Sequence, residues 1–440
     1  MTRNLEAVPP ASPRATTALA PPVARNAASL IRSGAAFAMV AIILVLTMWP
    51  MPELAAQAAL TPWYCLVCGA SGGVDVLLNV LFFIPLGAAL RWRGTSNRRA
   101  LLTGIVLTCL VETVQALAIP GRDASLSDVL TNSTGTAIGI WLFNHGPMLR
   151  RPPRAWSIGL AGLYASFFLL VQAVGAWGIR PAPPSDPFWG LWAHSFGEPE
   201  RFDGQILRVT ADAHALHDGE LEAESAALRK SLQARTFRVD VLAVSGPPTD
   251  HTVEIFALGN PAHGFVAELD QRGRTLLLRL RNRATLVRLK NPALRFADAL
   301  PARAGDTLRI AAGVSPRALW GCVGDGPDRR CDALPLRSTL SWALVSPLSL
   351  TPAPAIAELL GVGWLVVLTL PLGYGGRRIG AGRVGTAAGL MVLLALGLGG
   401  VPLWLGVLGA SGAQWAGAAV GTAGGWALAT AAGSERPRSS

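Results

Sequence analysis

Long apolar runs constrain the fold of this chain more than any other feature of its sequence. Eight runs have the length of a bilayer-spanning helix, about 17 to 25 residues. They cover residues 34–50, 75–91, 100–119, 127–144, 156–177, 355–373, 384–407 and 413–432. Hydrophobic residues make up 51% of the 440 residues, which is too much for an ordinary soluble enzyme. The sequence therefore predicts a polytopic α-helical membrane protein with about eight transmembrane helices.

The formal net charge of +11 comes from arginines, many of which cluster in every second connection between the apolar runs. The clustered arginines are Arg91, Arg93, Arg98, Arg99, Arg150, Arg151, Arg154, Arg377, Arg378 and Arg383. Short loops rich in Arg remain on the cytoplasmic side of a membrane. We therefore expect both termini in the cytoplasm, and membrane lipids rather than nucleic acid as partners of the basic residues.

Residues 34–50 have an alternative interpretation as the apolar region of a signal peptide, because Ala56-Gln57-Ala58 offers a small-residue cleavage site. The preceding 33-residue tail is long for such a signal, which favours a retained helix. The predicted segments are a disordered cytoplasmic tail at 1–33, a five-helix membrane domain at 34–177, an extracytoplasmic domain at 178–350, three helices at 351–433 and a cytoplasmic tail at 434–440.

The segment 178–350 predicts an all-β domain, because short alternating runs replace the helical apolar blocks. Turn spacing favours an antiparallel sandwich, although periodicity alone does not exclude a barrel. Cys322 and Cys331 flank a turn-rich stretch, and their spacing suits a disulfide-closed hairpin in an oxidising compartment. Cys65 and Cys68 form a Cys-x-x-Cys pattern on the same side, for which a structural disulfide, free thiols, a redox pair and half a metal site all stay open.

Residues Leu228 to Arg281 resemble the concanavalin A-like, laminin G-like jelly-roll family. The resemblance rests on Thr236-Phe-Arg-Val-Asp-Val241, then Val253-Glu-Ile-Phe-Ala-Leu-Gly259 and Leu276-Leu-Leu-Arg-Leu-Arg281. It implies a ligand-recognition module that binds sugars or peptides. No pair of acidic residues in this domain has a local signature for glycoside hydrolysis, so we expect binding rather than cleavage.

Three of the apolar runs contain costly polar residues at helical spacing. Pairs three or four residues apart occupy one face of a helix. The pairs are Asp75 with Asn79, Glu112 with Gln115, and Asp128 with Asn132, and the connecting loop adds Arg122 and Asp123. The predicted topology places all of them towards the outer leaflet. One interpretation is interhelical hydrogen bonding. The other is a polar pocket in which Arg122 binds a phosphate or carboxylate while Glu112 or Asp128 transfers protons.

These same residues resemble the VanZ-like membrane protein family over about residues 35–145. The motifs are Asp75-Val-Leu-Leu-Asn79 with Ile84-Pro-Leu-Gly87, then Glu112-Thr-Val-Gln115, Gly121-Arg-Asp123 and Ser127-Asp-Val-Leu-Thr-Asn132. The resemblance implies a bacterial inner-membrane protein of the cell envelope, with a link to glycopeptide-antibiotic resistance.

We accordingly expect a cell-envelope protein that recognises a glycan, cell-wall or lipid-linked component, with an enzyme acting on a lipid-linked substrate as the alternative. His214 and His217 have ligand-like spacing but no further ligand in the sequence nearby, so no metal site is predicted. No cofactor is expected either, because the chain has no nucleotide-binding loop, zinc-hydrolase helix or nucleophile elbow.

Overall fold

The computed structural model describes residues 22–50, 62–67, 69, 71–122, 124–150, 152–197, 200–260, 264–346, 352–379 and 382–434. The helices of these ranges are α1 (Pro22–Thr47), α2 (Gly72–Trp92), α3 (Asn97–Ala118), α4 (Leu126–Arg150), α5 (Arg154–Gly178), α6 (Glu222–Ala234), α7 (Ser341–Leu344), α8 (Pro354–Arg378), α9 (Arg383–Ala395), α10 (Val401–Trp404) and α11 (Gly412–Ser434). A π-helical turn, Leu396–Gly400, joins α9 to α10. Helix α1 begins inside the predicted tail 1–33, of which residues 1–21 lie outside the described ranges.

Six helical segments in the described residues, rather than eight, are long and apolar enough to cross a membrane. They are Ser29–Thr47, Gly72–Trp92, Asn97–Ala118, Ala155–Gly178, Pro354–Arg378 and Arg383–Trp404. The predicted spans 127–144 and 413–432 do form the long helices α4 and α11. Neither helix is apolar enough over 18 residues to be among the six, because α4 carries several polar side chains and α11 contains many Gly residues. The predicted count of eight apolar spans is therefore wrong.

Contacts between residues divide the chain into two compact units. The first consists of Met1–Ala59, Val80–Ala124 and Asn132–Asn144, and the second of Leu60–Asn79, Ser125–Thr131 and His145–Ser440. The second unit therefore contains the beginnings of α2 and α4 in addition to the β-domain and the helices from α5 onward.

In the first unit, α2 and α4 run parallel and pack closely through glycines. Gly135 lies against Val80, and Gly139 lies one turn further along against Ile84. A Cβ atom at either glycine would overlap the facing carbonyl oxygen. Small residues let helix backbones approach closely in a membrane, where the hydrophobic effect does not drive helices together.

The β-domain of the second unit is a sandwich of two six-stranded sheets whose paired strands are all antiparallel. The strands are β1 (Phe188–Trp192), β2 (Gln205–Ala211), β3 (His214–Leu216), β4 (Gly219–Leu221), β5 (Arg238–Val244), β6 (Thr249–Asn260), β7 (Gly264–Gly273), β8 (Thr275–Leu280), β9 (Ala293–Phe296), β10 (Thr307–Val314), β11 (Ala318–Val323) and β12 (Arg330–Pro335). Sheet I has the order β4-β1-β6-β7-β8-β9, and sheet II the order β12-β11-β10-β5-β2-β3.

Alternating side chains from both sheets form one shared core, in which Phe188, Phe237, Phe256 and Ile310 are buried. Residues with period two point to one face of a strand, so the opposite positions of each strand lie on the outer faces. The predicted β-sandwich is therefore confirmed, and its two outer faces carry the polar side chains described below.

The later helices of the second unit repeat the glycine packing of the first unit. Helices α8 and α11 run parallel, with Gly421 against Val366 and Gly425 against Leu370. A Cβ atom at Gly425 would overlap the carbonyl oxygen of Leu370, whereas a Cβ atom at the neighbouring Gly424 would meet no atom within 4 Å. The small side chains of α11 let its backbone come close to the backbone of α8, and this close contact holds the two helices together.

Hydrogen bonds tie the sandwich to the ends of three helices within the second unit. The Gly73 amide at the start of α2 donates to the Arg288 carbonyl (3.1 Å), the Ser338 hydroxyl donates to Gln172 Oε1 near the end of α5 (2.6 Å), and the Thr339 hydroxyl donates to Gln414 Oε1 at the start of α11 (2.9 Å). Both side-chain bonds are buried. The sandwich is thus fixed to these helix ends rather than connected by free linkers.

Candidate functional site

The predicted polar residues of the first unit form hydrogen bonds between helices. Asn132 Nδ2 of α4 donates to Thr108 Oγ1 of α3 over 2.9 Å, and Gln115 Nε2 of α3 donates to the Thr47 carbonyl at the end of α1 over 2.8 Å. Glu112, Gln115 and Asn132 are all buried, with exposed fractions of 8, 7 and 3%. These contacts join α1, α3 and α4 through polar groups in an otherwise apolar interior.

One acceptor in this group has no protein partner. Asn132 Oδ1 is buried and accepts no hydrogen bond among the residues that the structure describes. A buried polar atom of this kind is costly, and a functional role or a bound water or ion accounts for such atoms in folded proteins. Asn132 is therefore the residue of this group that retains unused hydrogen-bonding capacity.

Arg122 contacts backbone carbonyls. Its Nε donates to the Trp49 carbonyl over 3.1 Å and its Nη2 donates to the Leu46 carbonyl over 3.2 Å. These carbonyls lie at and just beyond the C-terminal end of α1, where a cation interacts favourably with the helix dipole. The contacts give Arg122 a role in fixing α1. Asp123, the other loop residue of the predicted pocket, lies outside the described residues.

The remaining predicted residues lie in the second unit, near the starts of α2 and α4. Asn79 Nδ2 donates to Asp128 Oδ1 over 2.5 Å. The Asp128 amide in turn donates to Ser125 Oγ over 3.1 Å, which caps α4. Asp75 lies in the first turn of α2 and acts electrostatically on Lys290 of the sandwich. Burial lowers the pKa of Lys290, and the negative charge of Asp75 opposes that shift.

The disulfide predicted between Cys322 and Cys331 is present in the structure. Cys322 and Cys331 are bonded, with their Cα atoms 4.0 Å apart on the adjacent strands β11 and β12. Cys65 is also disulfide-bonded, and Cys68 lies outside the described residues.

The structure also reveals a site on the outer face of sheet II that sequence reasoning missed. A groove of about 300 Å³ crosses this face. Its charged lining residues are Arg208, Arg238, Asp240, Arg309, Asp325 and Arg329, and we call it the basic groove. Arg238 forms a bidentate pair with Asp240 at 2.7 and 2.6 Å, and Arg309 pairs with Asp325 at 3.1 Å. Arg208 and Arg329 form no ion pair among the described residues, so the groove keeps a net positive charge.

Sheet I carries a second missed site of opposite sign, which we call the acidic cluster: Glu254, Glu268 and Asp270 around Arg279. Asp270 is fully buried, and its Oδ2 accepts from Arg279 Nη2 over 2.6 Å. Arg279 Nε lies 2.8 Å from Glu268 Oε2. Glu254 is the cross-strand partner of Asp270. Arg279 thus interacts electrostatically with three carboxylates.

Electrostatics in the acidic cluster favour protonated carboxyl groups. Burial, reinforced by repulsion from Asp270, raises the pKa of Glu254 to about 7. Burial also raises the pKa of Glu268 to about 7 against the opposing attraction of Arg279, and it raises the pKa of Asp270. Burial acts to lower the pKa of Arg279, but the neighbouring carboxylates outweigh this effect and raise it.

Sequence alternation could have indicated both missed sites, since Arg238 with Asp240 and Glu268 with Asp270 are spaced two residues apart. The strand register that brings Glu254 beside Asp270 is not a local property of the sequence. Within the described ranges, no group of three or more His, Cys, Asp or Glu side chains is arranged to hold a metal ion.

Comparison with known proteins supports the membrane part of the chain. The VanZ/LLP1 family matches residues 26–150, which contain all of the predicted polar residues of α2, α3 and α4. No curated protein and no solved structure matches the chain significantly. The similarity to concanavalin A-like domains therefore rests on the strand pattern alone, whereas the VanZ-like segment is supported.

Proposed function

We propose that this multi-pass membrane protein recognises an acidic glycan component of the bacterial cell envelope through the basic groove of its sandwich. The VanZ-like segment supports a place in the envelope. The observation that supports this proposal most directly is the groove itself, to which β2, β5 and β10 each contribute one arginine: Arg208, Arg238 and Arg309.

The groove suits a polar, negatively charged chain. Its lining contains four arginines and two aspartates, and Arg208 and Arg329 remain available to external anions. Arginine donates two parallel hydrogen bonds to a carboxylate or phosphate. Arg238 also lies over the ring of Trp320, with 6.0 Å between the guanidinium carbon and the ring centroid. An aromatic ring beside charged donors matches the alternation of apolar and polar surfaces on a sugar.

An extracytoplasmic position of the sandwich is part of the proposal. The disulfide between Cys322 and Cys331 supports it, since such bonds persist in oxidising compartments. The sandwich is inserted between the end of α5 and the start of α8, while Arg377 and Arg378 lie at the other end of α8. The positive-inside rule favours a cytoplasmic position for that other end, which puts the start of α8 and the sandwich on the outer side.

The sandwich is attached directly to the ends of membrane helices, so a ligand bound to the sandwich would be held close to the membrane. Ser338 and Thr339 bind Gln172 and Gln414 through buried hydrogen bonds. A ligand held by the sandwich is therefore kept near the membrane surface by a fixed contact.

Binding of the full-length protein, in nanodiscs, to immobilised polygalacturonate tests the proposal, with neutral dextran as the comparison. We expect retention on polygalacturonate that weakens as salt is raised, since exposed charges are screened. The double variant Arg208→Gln/Arg329→Gln should bind on the order of 100-fold more weakly, because two lost charge-assisted hydrogen bonds of about 1.5 kcal/mol each amount to about 3 kcal/mol.

The matched control is Arg272→Gln, an exposed arginine on β7 in the other sheet, which should bind like the wild type. Equal retention of the wild type and the double variant, or equal retention on polygalacturonate and dextran, would contradict the proposal. No specific contact favours the enzymatic alternative, because the described contacts of Arg122 and Asp128 are with groups of the protein itself.

A further inference from the structure

A cleft lies where sheet I meets the helix ends of the second unit, and we call it the junction cleft. Its main cavity has a volume of about 380 Å³, and a smaller cavity of about 60 Å³ adjoins it. Both cavities are lined by Ala293 of β9 and by Pro352, just before α8. Ser71, directly before α2, also lines the main cavity. Because α2 and α8 are long and apolar enough to span a membrane, the cleft lies where lipid headgroups are found.

Strand β9 presents a cation to this cleft through the alternation of its side chains. Leu294 and Phe296 are buried in the core between the two sheets. Ala293 and Arg295 therefore lie on the outer face, where Arg295 lines the smaller cavity. Arg295 is partly buried, and its guanidinium forms no ion pair or hydrogen bond among the residues that the structure describes. It therefore retains its full capacity to bind an anion.

The side chains that line the two cavities carry a surplus of positive charge. The acidic groups are already bound within the protein: Glu268 Oε2 lies 2.8 Å from Arg279 Nε, and Glu358 accepts hydrogen bonds from Ser411 and Gln414. Four cations and two acids line the cleft, namely Arg279, Lys290, Arg295 and Arg337 with Glu268 and Glu358. The lining as a whole therefore favours an anionic ligand.

In the main cavity, nearby carboxylates offset the two cations. Arg279 Nη2 binds Asp270 over 2.6 Å, in addition to the pair with Glu268. The negative charge of Asp75, at the start of α2, acts on Lys290. The main cavity therefore suits the polar but uncharged part of a headgroup better than it suits a phosphate.

The smaller cavity holds the surplus cations. Arg337 lines it beside Arg295, and Arg337 Nη1 donates to the Gly409 carbonyl, which fixes the position of this guanidinium. Guanidinium groups donate parallel hydrogen bonds to phosphate oxygens, and such charge-assisted bonds are about twice as strong as neutral ones. Two arginines in one small cavity are therefore suited to a phosphate group.

Apolar surface continues from the cleft onto α8. Leu289 and Trp342 line the main cavity, and an aromatic side chain with one polar edge is typical of the membrane–water interface. In the first turns of α8, the side chains of Ile356, Leu359 and Leu360 are exposed by 53, 68 and 45%. Acyl chains attached to a bound phosphate can pack against this surface, which a soluble phosphate does not reach.

We propose that the junction cleft binds an anionic membrane lipid, whose phosphate is held by Arg295 and Arg337 in the smaller cavity. The rest of the headgroup occupies the main cavity, and the acyl chains lie along α8. This site is on sheet I and the basic groove is on sheet II, so either proposal can fail without the other.

Native mass spectrometry of the full-length protein tests the proposal. The protein is released from micelles that contain equal amounts of phosphatidylglycerol and phosphatidylcholine with the same acyl chains. Only phosphatidylglycerol carries a net negative charge. We expect the wild type to retain it about tenfold more strongly, as one charge-assisted hydrogen bond implies. Arg295→Gln should lower this preference to near equal retention of the two lipids.

A matched control separates this site from general attraction between basic residues and anionic lipids. Arg272→Gln removes an exposed arginine from β7 of the same sheet and should leave the preference unchanged. Arg295→Gln breaks no contact of the side chain within the described residues, so the variant should fold, and an unchanged melting temperature checks this.

Equal retention of the two lipids by the wild type would overturn the proposal, as would an equal loss of preference in Arg295→Gln and Arg272→Gln. Soluble glycerol phosphate separates the two sources of phosphate. If it displaces the lipid as effectively, mole for mole, as phosphatidylglycerol does, the assignment to a membrane lipid is overturned. Weak displacement, together with the lipid preference, supports it.

Discussion

Glu268 should make the stability of the sandwich depend on pH in a direction opposite to that of most acidic residues. Burial raises its pKa from the ordinary value of 4.5 to about 7. The folded state therefore binds the proton more tightly than the unfolded state does. This contribution to the free energy of unfolding is fully present below pH 4.5 and is lost as the pH rises through about 7.

The size of the effect follows from that pKa. A rise from 4.5 to about 7, at about 1.36 kcal/mol per pH unit, corresponds to about 3 kcal/mol. The attraction of Arg279 is already included, since it opposes the rise without cancelling it. The pKa of Glu254 is raised in the same way, but this residue is more exposed. It therefore adds less to the change in the free energy of unfolding over the same pH range.

Hydrogen–deuterium exchange of peptides from β7 and β8 at pH 5 and pH 8, corrected for intrinsic exchange rates, measures this difference in the full-length protein. The wild type should lose protection at pH 8 by up to about 100-fold, as about 3 kcal/mol implies. The Glu268→Gln variant should lose much less protection between pH 5 and pH 8, and it should be better protected than the wild type at pH 8. A variant with the same pH dependence as the wild type would refute the reasoning, and Glu220→Gln, which removes an exposed acid from β4 of the same sheet, serves as the control.

Three further predictions concern the fold. Gly425→Ala should lower the yield and melting temperature of the protein, whereas Gly424→Ala should leave both unchanged, because only the first adds a methyl group against the backbone of α8. Replacing Cys322 and Cys331 by Ala should lower the stability of the sandwich by about 2–3 kcal/mol, measured by denaturant unfolding followed by Trp fluorescence. Asn132→Leu should weaken the association of α3 with α4 by about 0.6–2 kcal/mol in a thermal-stability assay, and an unchanged midpoint would show that its bond to α3 contributes nothing.

For the polar residues of the VanZ-like segment, the sequence predicted the helix faces on which they lie but not their hydrogen-bond partners. Helical spacing predicted that Asn79, Gln115 and Asn132 lie on helix faces, and the structure places each of them in a contact with another element. Spacing did not predict the partners. One of the two interpretations gave Arg122 an anionic ligand, and the partners observed in the structure are carbonyls at the end of α1. Whether these residues also bind a ligand stays a prediction, which Glu112→Gln in a lipid-profile assay would test.

The sequence by itself determined the class of the protein, because hydropathy and period two or 3.6 are local properties of a chain. Those properties gave the apolar helices, the strands of the sandwich and the cysteine pair that closes β11 and β12. A stricter hydropathy criterion gives six apolar spans rather than eight in the described residues, because α4 is rich in polar residues and α11 in Gly.

Only the tertiary structure decided which side chains share a site. Glu254 and Asp270 face each other because a bulged register aligns β6 with β7, and the basic groove exists because β5 lies between β2 and β10. Strand order and register depend on packing between residues far apart in the chain, so they cannot be read from a local pattern. The apolar runs therefore established a membrane protein with an inserted β-domain, while the charged grooves that suggest its ligands emerged only from the folded chain.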